Sequence, residues 1–403
     1  MELFWLEHKK LWRKKIVKIC VLLCFVYCVI FGSILSFQWF CFGSSDDYTS
    51  AFGNNFDGYT VIKDSQEYAL SFGGELTDET LQQIVSDYQQ MEADGMEEEL
   101  EKTDWQIVNS WLGTLYPELR DTSNYKTMIS YVDPDKLTGF YERRQQVLDE
   151  FLEVSGQVGA EKEYLHQIDG KVEKPFHYEW VEGWSTILGS MVADLGVVMA
   201  LFLGIVLSSL FAGEWHDNTS TLVLTTRNGW GKIALAKILT GLAFTVELFA
   251  LLAVSSVISQ LFFMGTAGWD MPIQNIKLIA VAPMNMLQAE IYEYAFVLLG
   301  AIGFAGIVMF ISAAVKNNVL TLLLSLAVVY GPMMIAEYLP YGMQKALDLI
   351  PLVGSSTDIF RTNTFRIFGK LIWSPYLLIT IPVLIGILCM PFAIKSWSRR
   401  MKA

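Results

Sequence analysis

No charged residue occurs anywhere between Ile19 and Ser45. An apolar run of that length exceeds the roughly 7–15 residues of a signal-peptide core. It reaches the roughly 20 needed to cross a bilayer, so the chain is expected to enter a membrane at once, with a first span over 19–43. Five more blocks follow the same rule: 185–212, broken only by Asp194; 233–263, broken by Lys237 and Glu247; 294–315; 319–336; and 371–394. Only Lys316-Asn317-Asn318 separates the fourth block from the fifth, which reads as a tight turn. The last carries Pro375, Pro382 and Pro391, tolerated in membrane helices where neighbours re-satisfy the freed carbonyls. In hydrocarbon the backbone must satisfy itself. The expected fold is therefore an all-α polytopic membrane protein of six transmembrane helices.

The formal net charge of −13 hides two populations. Of 42 acidic and 29 basic residues, 30 and 10 fall between Ser44 and Trp184, leaving 12 and 19 for the rest. Segment 44–184 thus reads as an acidic water-soluble insert, and the remainder as a mildly basic body. The acidity argues against a nucleic-acid partner. All five Cys lie in or beside apolar blocks and none in the insert, so the insert is not disulfide-stapled. Cys20, Cys24 and Cys28 repeat every fourth residue, a strip suited to helix packing in lipid. A thiol or metal site is the other reading of that strip; packing is preferred, and no metal is expected.

Lys and Arg in short loops set orientation. Lys9, Lys10, Arg13, Lys14, Lys15 and Lys18 precede the first block; Lys395, Arg399, Arg400 and Lys402 follow the last; Arg227, Lys232 and Lys237 surround the second junction. Both termini, including tail 395–403, are expected in the cytoplasm and 44–184 outside. The outer loop 337–370 fits poorly, because it holds Lys345, Arg361, Arg366 and Lys370. Residues 1–18 alternate Leu3, Phe4, Trp5, Leu6, Leu11 and Trp12 with charges, as an amphipathic helix on the inner membrane surface would.

The insert is expected to be mostly helical with a little sheet, an α+β extracellular domain. Gly58–Asp64 reads as a strand. Thr77 is placed to cap a helix with Asp78 and Glu79 in its first turn and Leu81, Ile84, Val85 and Tyr88 on its apolar face. A second helix is expected over Asp104–Leu115. A third is expected over Asp133–Glu153, capped by Asp133, opened by Pro134 and stopped at Ser155-Gly156. His166 and His177 have no partners at metal or triad spacing and read as surface residues.

The most informative segment is 213–232, between the second and third blocks. It is too polar to span and too patterned for a linker. With its flanks it resembles the loop between the second and third spans of permease subunits in the type-2 ABC exporter superfamily. Glu214, Thr219, Leu222, Leu224, Thr225, Arg227 and Lys237 carry the resemblance. Asn218 stands where that family has Gly, and Arg227-Asn228 where it often has Pro. The N-terminal segment with Glu7, Lys10, Leu11 and Arg13 is similar to the family's basic elbow helix. Loop 337–370, broken by Pro340, Pro351 and Gly354, looks like its short re-entrant helices. Phe72–Glu79 resembles a segment in outer domains of such permeases from Gram-positive bacteria.

The resemblance implies a multi-pass protein of the bacterial plasma membrane, exporting a peptide, drug or lipid-like substrate. It makes 213–232 the coupling helix on which an ATP-binding subunit docks. The chain has no Gly-x-x-x-x-Gly-Lys-Ser/Thr loop. ATP and Mg would then sit on a partner ATPase, with no cofactor on this chain, and a second permease subunit, identical or sister, would complete the path. Asp194 and Glu247 are candidates to line that path, since intramembrane carboxylates usually face the bundle interior or a wet cavity. Glu290 and Glu293 stand at the outer mouth of the fourth span, where simple solvation explains them about as well as a place on the path. No His-Glu-x-x-His or Gly-x-Ser-x-Gly motif suggests an enzyme. The alternative reading is a membrane-anchored sensor or immunity protein whose insert captures a peptide without transport.

Overall fold

The computed structural model describes residues 2–30, 66, 73–96, 106–121, 126–188, 192–217, 219, 231–354 and 362–399. The described chain is mostly helical. Five of its helices are long and apolar enough to cross a membrane. They are Val192–His216, Gly231–Met264, Met286–Ala314, Asn318–Ile335 and Ser374–Arg399. Two helices precede them, α1 (Glu2–Arg13) and α2 (Lys15–Val29). The first expected span begins as α2, with Cys20, Cys24 and Cys28 on its buried face. Its continuation over 31–43 lies outside the described residues, as does the expected strand Gly58–Asp64.

The insert follows as β1 (Gly74–Glu75), α3 (Asp78–Ala93), α4 (Gln106–Leu115), α5 (Phe140–Val154), α6 (Ala160–Asp169), β2 (His177–Tyr178) and α7 (Glu182–Thr186). Strands β1 and β2 pair antiparallel, Gly74 opposite Tyr178. Helix α3 starts where the sequence places it: the Thr77 hydroxyl accepts from Thr80 N at 3.2 Å, and Leu81, Ile84 and Val85 are buried.

The expected helix over Asp133–Glu153 is corrected. Asp133 caps only a single 3₁₀ turn, Pro134–Lys136. The chain then breaks at Gly139, whose φ of +71° is left-handed, and α5 begins at Phe140. The start of α5 is capped from a distance. The Asp78 carboxylate accepts from Gly139 N at 2.7 Å and from Phe140 N at 2.8 Å. A carboxylate beside the orphan N–H groups of a helix start satisfies them and the macrodipole together, and here another helix's first turn provides it.

The long helices are labelled α8 (Val192–His216), α9 (Gly231–Met264), α10 (Met286–Ala314) and α11 (Asn318–Ile335). A short α12 (Tyr341–Leu347), the antiparallel hairpin β3–β4 (Thr364–Ile367, Lys370–Trp373) and α13 (Ser374–Arg399) complete the order. Of the boundaries that move, two have a local cause. Helix α10 starts at Met286 rather than 294, because Asn285 and Gln288 form a reciprocal capping box. The last helix starts at Ser374, because Lys370–Trp373 pairs as a strand.

Among the described residues, loop 337–370 holds one short α-helix and the β3–β4 hairpin. Between them, Leu352 (φ +63°) is buried beside Gly300 and Gly196. Helices α10 and α13 meet through glycine: a Cβ on Gly303 would collide with the Pro382 carbonyl, and one on Gly306 with Gly386. Small residues let backbones close up where lipid offers no hydrophobic drive between helices.

The element ends sort into two groups. At one end lie α1, the end of α8, the start of α9, the α10–α11 turn and the end of α13. At the other lie the insert, the α9–α10 connection 265–285 and β3–β4. Among the described residues, the insert shares its core with segments outside 44–184. One continuous apolar core joins Leu81, Trp111, Leu148, Leu165 and Phe176 of the insert to Met271, Ile273, Leu278 and Val281 of the connection and to Trp373. Polar clamps reinforce it. Arg144, fully buried, donates to both oxygens of Asp169 at 3.1 and 2.6 Å, and also to the Leu278 carbonyl at 2.7 Å and the Ala280 carbonyl at 3.1 Å. Trp111 Nε1 donates to Asn275 O, and Asn275 Nδ2 to His177 O. On the hairpin, Arg366 pairs with Glu161 at 2.8 Å and Thr364 with Gln157. Of the basic residues in loop 337–370, Arg366 thus answers an acid of the insert.

Candidate functional site

Glu214 sits in the last turn of α8 and is 4% exposed. Its Oε1 accepts from Lys10 Nζ at 2.6 Å and from Lys237 Nζ at 2.8 Å. Lys237, almost fully buried in α9, also reaches Glu7 Oε2 at 2.7 Å. Thr219 closes the other side: its hydroxyl donates to Glu214 Oε2, and its amide to Glu214 O at 2.9 Å. Lys14 Nζ donates to Ser209 Oγ one turn back on α8. Glu7, Lys10, Lys14, Ser209, Glu214 and Lys237 line a small cleft with Leu11, Leu210, Gly213 and Asp217. Residues far apart in sequence thereby fasten the amphipathic helix α1 to the junction of α8 and α9.

A buried carboxylate is tolerable only when opposite charge and hydrogen bonds replace its water. Two ammonium groups and a hydroxyl do so for Glu214, and cations at the C-terminal end of α8 also complement its dipole. Burial works against the Lys10 ammonium. Its hydrogen bond and attraction to Glu214, with Glu7 and Asp217 beyond, more than offset this and raise its pKa. Lys14 shows the reverse. Burial first, then repulsion from Lys237 and Lys10, lowers its pKa.

Other elements brace the same helix end. Ser312 Oγ of α10 donates to Ser208 O at 2.7 Å and accepts from Phe211 N and Ala212 N. Trp397 of α13 packs against Phe211 and Trp215 with ring centroids 5.5 and 6.2 Å apart. Lys316, in the α10–α11 turn, lies over the Trp215 ring at 4.4 Å. The polar segment after residue 217 thus departs from a helix end held by α1, α9, α10, α13 and the α10–α11 turn.

Of the residues singled out by sequence, Glu214 and Thr219 meet here, with Glu7, Lys10 and Lys237. Leu222, Leu224, Thr225 and Arg227 lie outside the described residues. Asp194 lies in the first turn of α8, and its side chain is outside them too. Glu247 is 41% exposed and faces α1: it accepts from Trp12 Nε1 at 3.1 Å and pairs with His8 Nε2 at 3.2 Å. At about 1.5 Å per residue it lies about 24 Å along α9, on the stretch that α1 covers. Of the two readings open for Glu290 and Glu293, simple solvation does not hold: they are 5% and 0% exposed, because α10 begins eight residues before the expected 294 and the 265–285 connection packs against its start. Sequence reading missed Lys14, Ser209, Ser312 and Trp397. A Trp two residues before the Arg399-Arg400 pair was the one available signal.

No family model, no curated protein and no solved structure matches this chain.

Proposed function

We propose that this chain is the permease subunit of an ATP-driven ABC exporter. It crosses the bacterial plasma membrane six times, with α2 continued over residues 31–43 as the first span. Both termini are cytoplasmic, and the insert with its 265–285 and 362–373 partners lies outside. The ATP-binding subunit, carrying ATP and Mg, docks on segment 213–232. A second permease copy or a sister subunit completes the path.

The observation that carries this reading is the ion network at Glu214. A docking segment transmits force only if its roots are stiff. Here the root on α8 is locked to α1 by Lys10, to α9 by Lys237, and to α10 and α13 by Ser312 and Trp397. Motion of 213–232 would then move the whole helical body rather than bend a loop, the rigid-body mode that switching by two packings requires. The clamps on the insert extend the same body to the opposite end.

The test is affinity purification of the tagged chain from its native membrane in mild detergent. A stoichiometric ATP-binding subunit that is lost when 214–226 is scrambled supports the reading. Failure to recover one, under conditions that preserve a control ABC complex, favours the membrane-anchored sensor or immunity protein.

A further inference from the structure

Helix α1 has two faces. One is built into the body: Leu11 is buried in the core, Trp12 packs against Phe244 with ring centroids 5.9 Å apart, and Glu7 and Lys10 belong to the Glu214 cluster. The other is free and carries Trp5 and Leu6, 61% and 64% exposed. Lys14 then interrupts the helix in an extended conformation, and α2 begins at Lys15. Helix α2 divides in the same way. Val17 and Cys20 are buried, whereas Ile16, Ile19, Leu22 and Leu23 are exposed.

Between Lys9 and Lys18 stand six basic residues and no acid. Lys10 is taken by Glu214, and Lys14 Nζ donates to the neutral Ser209 Oγ. Lys9, Arg13, Lys15 and Lys18 are all exposed, and among the described residues their side chains make no ion pair or hydrogen bond. Four unmatched cations thus stand between two exposed apolar patches. Water covers such patches at a cost, and hydrocarbon alone would leave the charges bare. The zone that suits both is the headgroup boundary of a bilayer, where basic stems lie along apolar surface and their charged ends reach phosphate. A free anion would answer the charges and leave Trp5 and Leu6 in water. A second copy presenting the same face would set like charges against each other.

We infer that the free face of α1 and the start of α2 form a binding surface for anionic phospholipid, with Lys9, Arg13, Lys15 and Lys18 on the headgroups and Trp5 and Leu6 at the acyl boundary. Basic segments beside a span are drawn to an anionic leaflet, and the attraction grows with each Lys or Arg. Because Glu7 and Lys10 fasten α1 to α9 and α8, lipid on the free face also steadies the Glu214 junction. The inference rests on insertion of the chain in a membrane, and not on export or on a partner ATPase.

Thermal unfolding of the full chain, purified in a neutral detergent, tests it with an excess of phosphatidylcholine or of phosphatidylglycerol carrying the same acyl chains. A gain in phosphatidylcholine over detergent alone reads insertion in lipid, and the further gain in phosphatidylglycerol reads the charged surface. The wild type is expected to melt about 2 °C or more higher in phosphatidylglycerol than in phosphatidylcholine, by the mass action of a ligand that binds only the folded state. Raised salt should shrink that difference. Lys9→Gln, Arg13→Gln, Lys15→Gln and Lys18→Gln combined are expected to abolish it and to leave melting in phosphatidylcholine unchanged, since none of the four side chains holds the body together. If that variant does not fold, Lys9→Gln with Arg13→Gln serves instead, with the difference expected to fall by about half. A wild type that melts alike in the two lipids overturns the inference, and insertion still stands where both exceed detergent alone. A variant that keeps the full difference overturns it too. So does an equal gain from inorganic phosphate added in phosphatidylcholine, which assigns the charges to a free anion, or loss of a dimer by the fourfold variant with the same melting in both lipids, which assigns the face to a second copy.

Discussion

The two ends of the helical body are held by different chemistry. At the α1 end, side chains of opposite charge meet across elements: Lys10, Glu214, Lys237 and Glu7 form a chain in that order, in which Glu214 and Lys237 each have two partners of opposite charge. At the insert end, a continuous apolar core does the joining, and its charged members are spent on backbone. Arg144 has one carboxylate partner, Asp169, and gives its remaining donors to the Leu278 and Ala280 carbonyls. A chain whose inner members each have a second partner, with the outer Lys10 about half exposed to water, tolerates loss of a member. A single pair whose arginine also threads two carbonyls does not. The α1 end should therefore yield gradually, and the insert end abruptly.

The largest effect is accordingly expected at Arg144. Arg144→Met leaves the Asp169 carboxylate buried, with Lys174 at 3.9 Å as its nearest remaining cation. Breaking such a pair typically costs about 3–5 kcal/mol. Limited proteolysis should then cut the 265–285 connection before any long helix. Adding Asp169→Leu should restore most of the loss, since replacing both partners of a buried pair by apolar groups is often neutral. A double variant as unstable as the single one would show that the carbonyl contacts, not the pair, hold the clamp.

At the other end, Glu214→Ala removes the acceptor shared by two lysines. Lys237 keeps Glu7, and Lys10 is about half exposed and can turn to water. The expected loss is about 1.5–3 kcal/mol, that of hydrogen bonds to a charged group, read as a lowered melting temperature in detergent. Glu7→Gln on top of Glu214→Ala should cost more than the two singles added, because it strips Lys237 of its last acid. Strict additivity would show that the four charges do not act as a network.

Gly303→Ala tests the seam between the ends. The added methyl meets the Pro382 carbonyl and the Pro351 ring. Backbone must move, at a cost of about 1–3 kcal/mol. Melting of the isolated chain reads it, and an unchanged transition would mean that α10 and α13 do not pack this closely.

What sequence could show follows from the same contrast. The long helices are legible because lipid imposes one requirement, a run of apolar residues, and their centres fall where hydropathy places them. Their ends are not, since Asn285 and Gln288 act through a local cap that an apolar count ignores. Glu7, Lys10, Glu214 and Lys237 could each be picked out, because charges flanking apolar blocks are conspicuous. That they form one cluster could not, for Lys10 and Glu214 are joined only by the fold. The 265–285 connection gave no warning of its role. Its contribution is carbonyls and scattered apolar side chains, and any sequence has carbonyls.

Asp78 offers the smallest and cleanest probe of the insert end. It stands in the first turn of α3, where its charge favours that helix, yet its oxygens are spent on Gly139 N and Phe140 N at the start of α5. Thr77 already caps α3. Asp78→Ala should therefore leave α3 intact and fray α5, at the cost of one capping residue, about 1 kcal/mol. Amide hydrogen exchange should report this as faster exchange over the first turn of α5 with α3 unchanged. Asp78→Asn, which keeps an acceptor but not the charge, should recover part of the protection. If α3 exchanges faster and α5 does not, the carboxylate serves its own helix, and the long-range cap is not what starts α5 at Phe140.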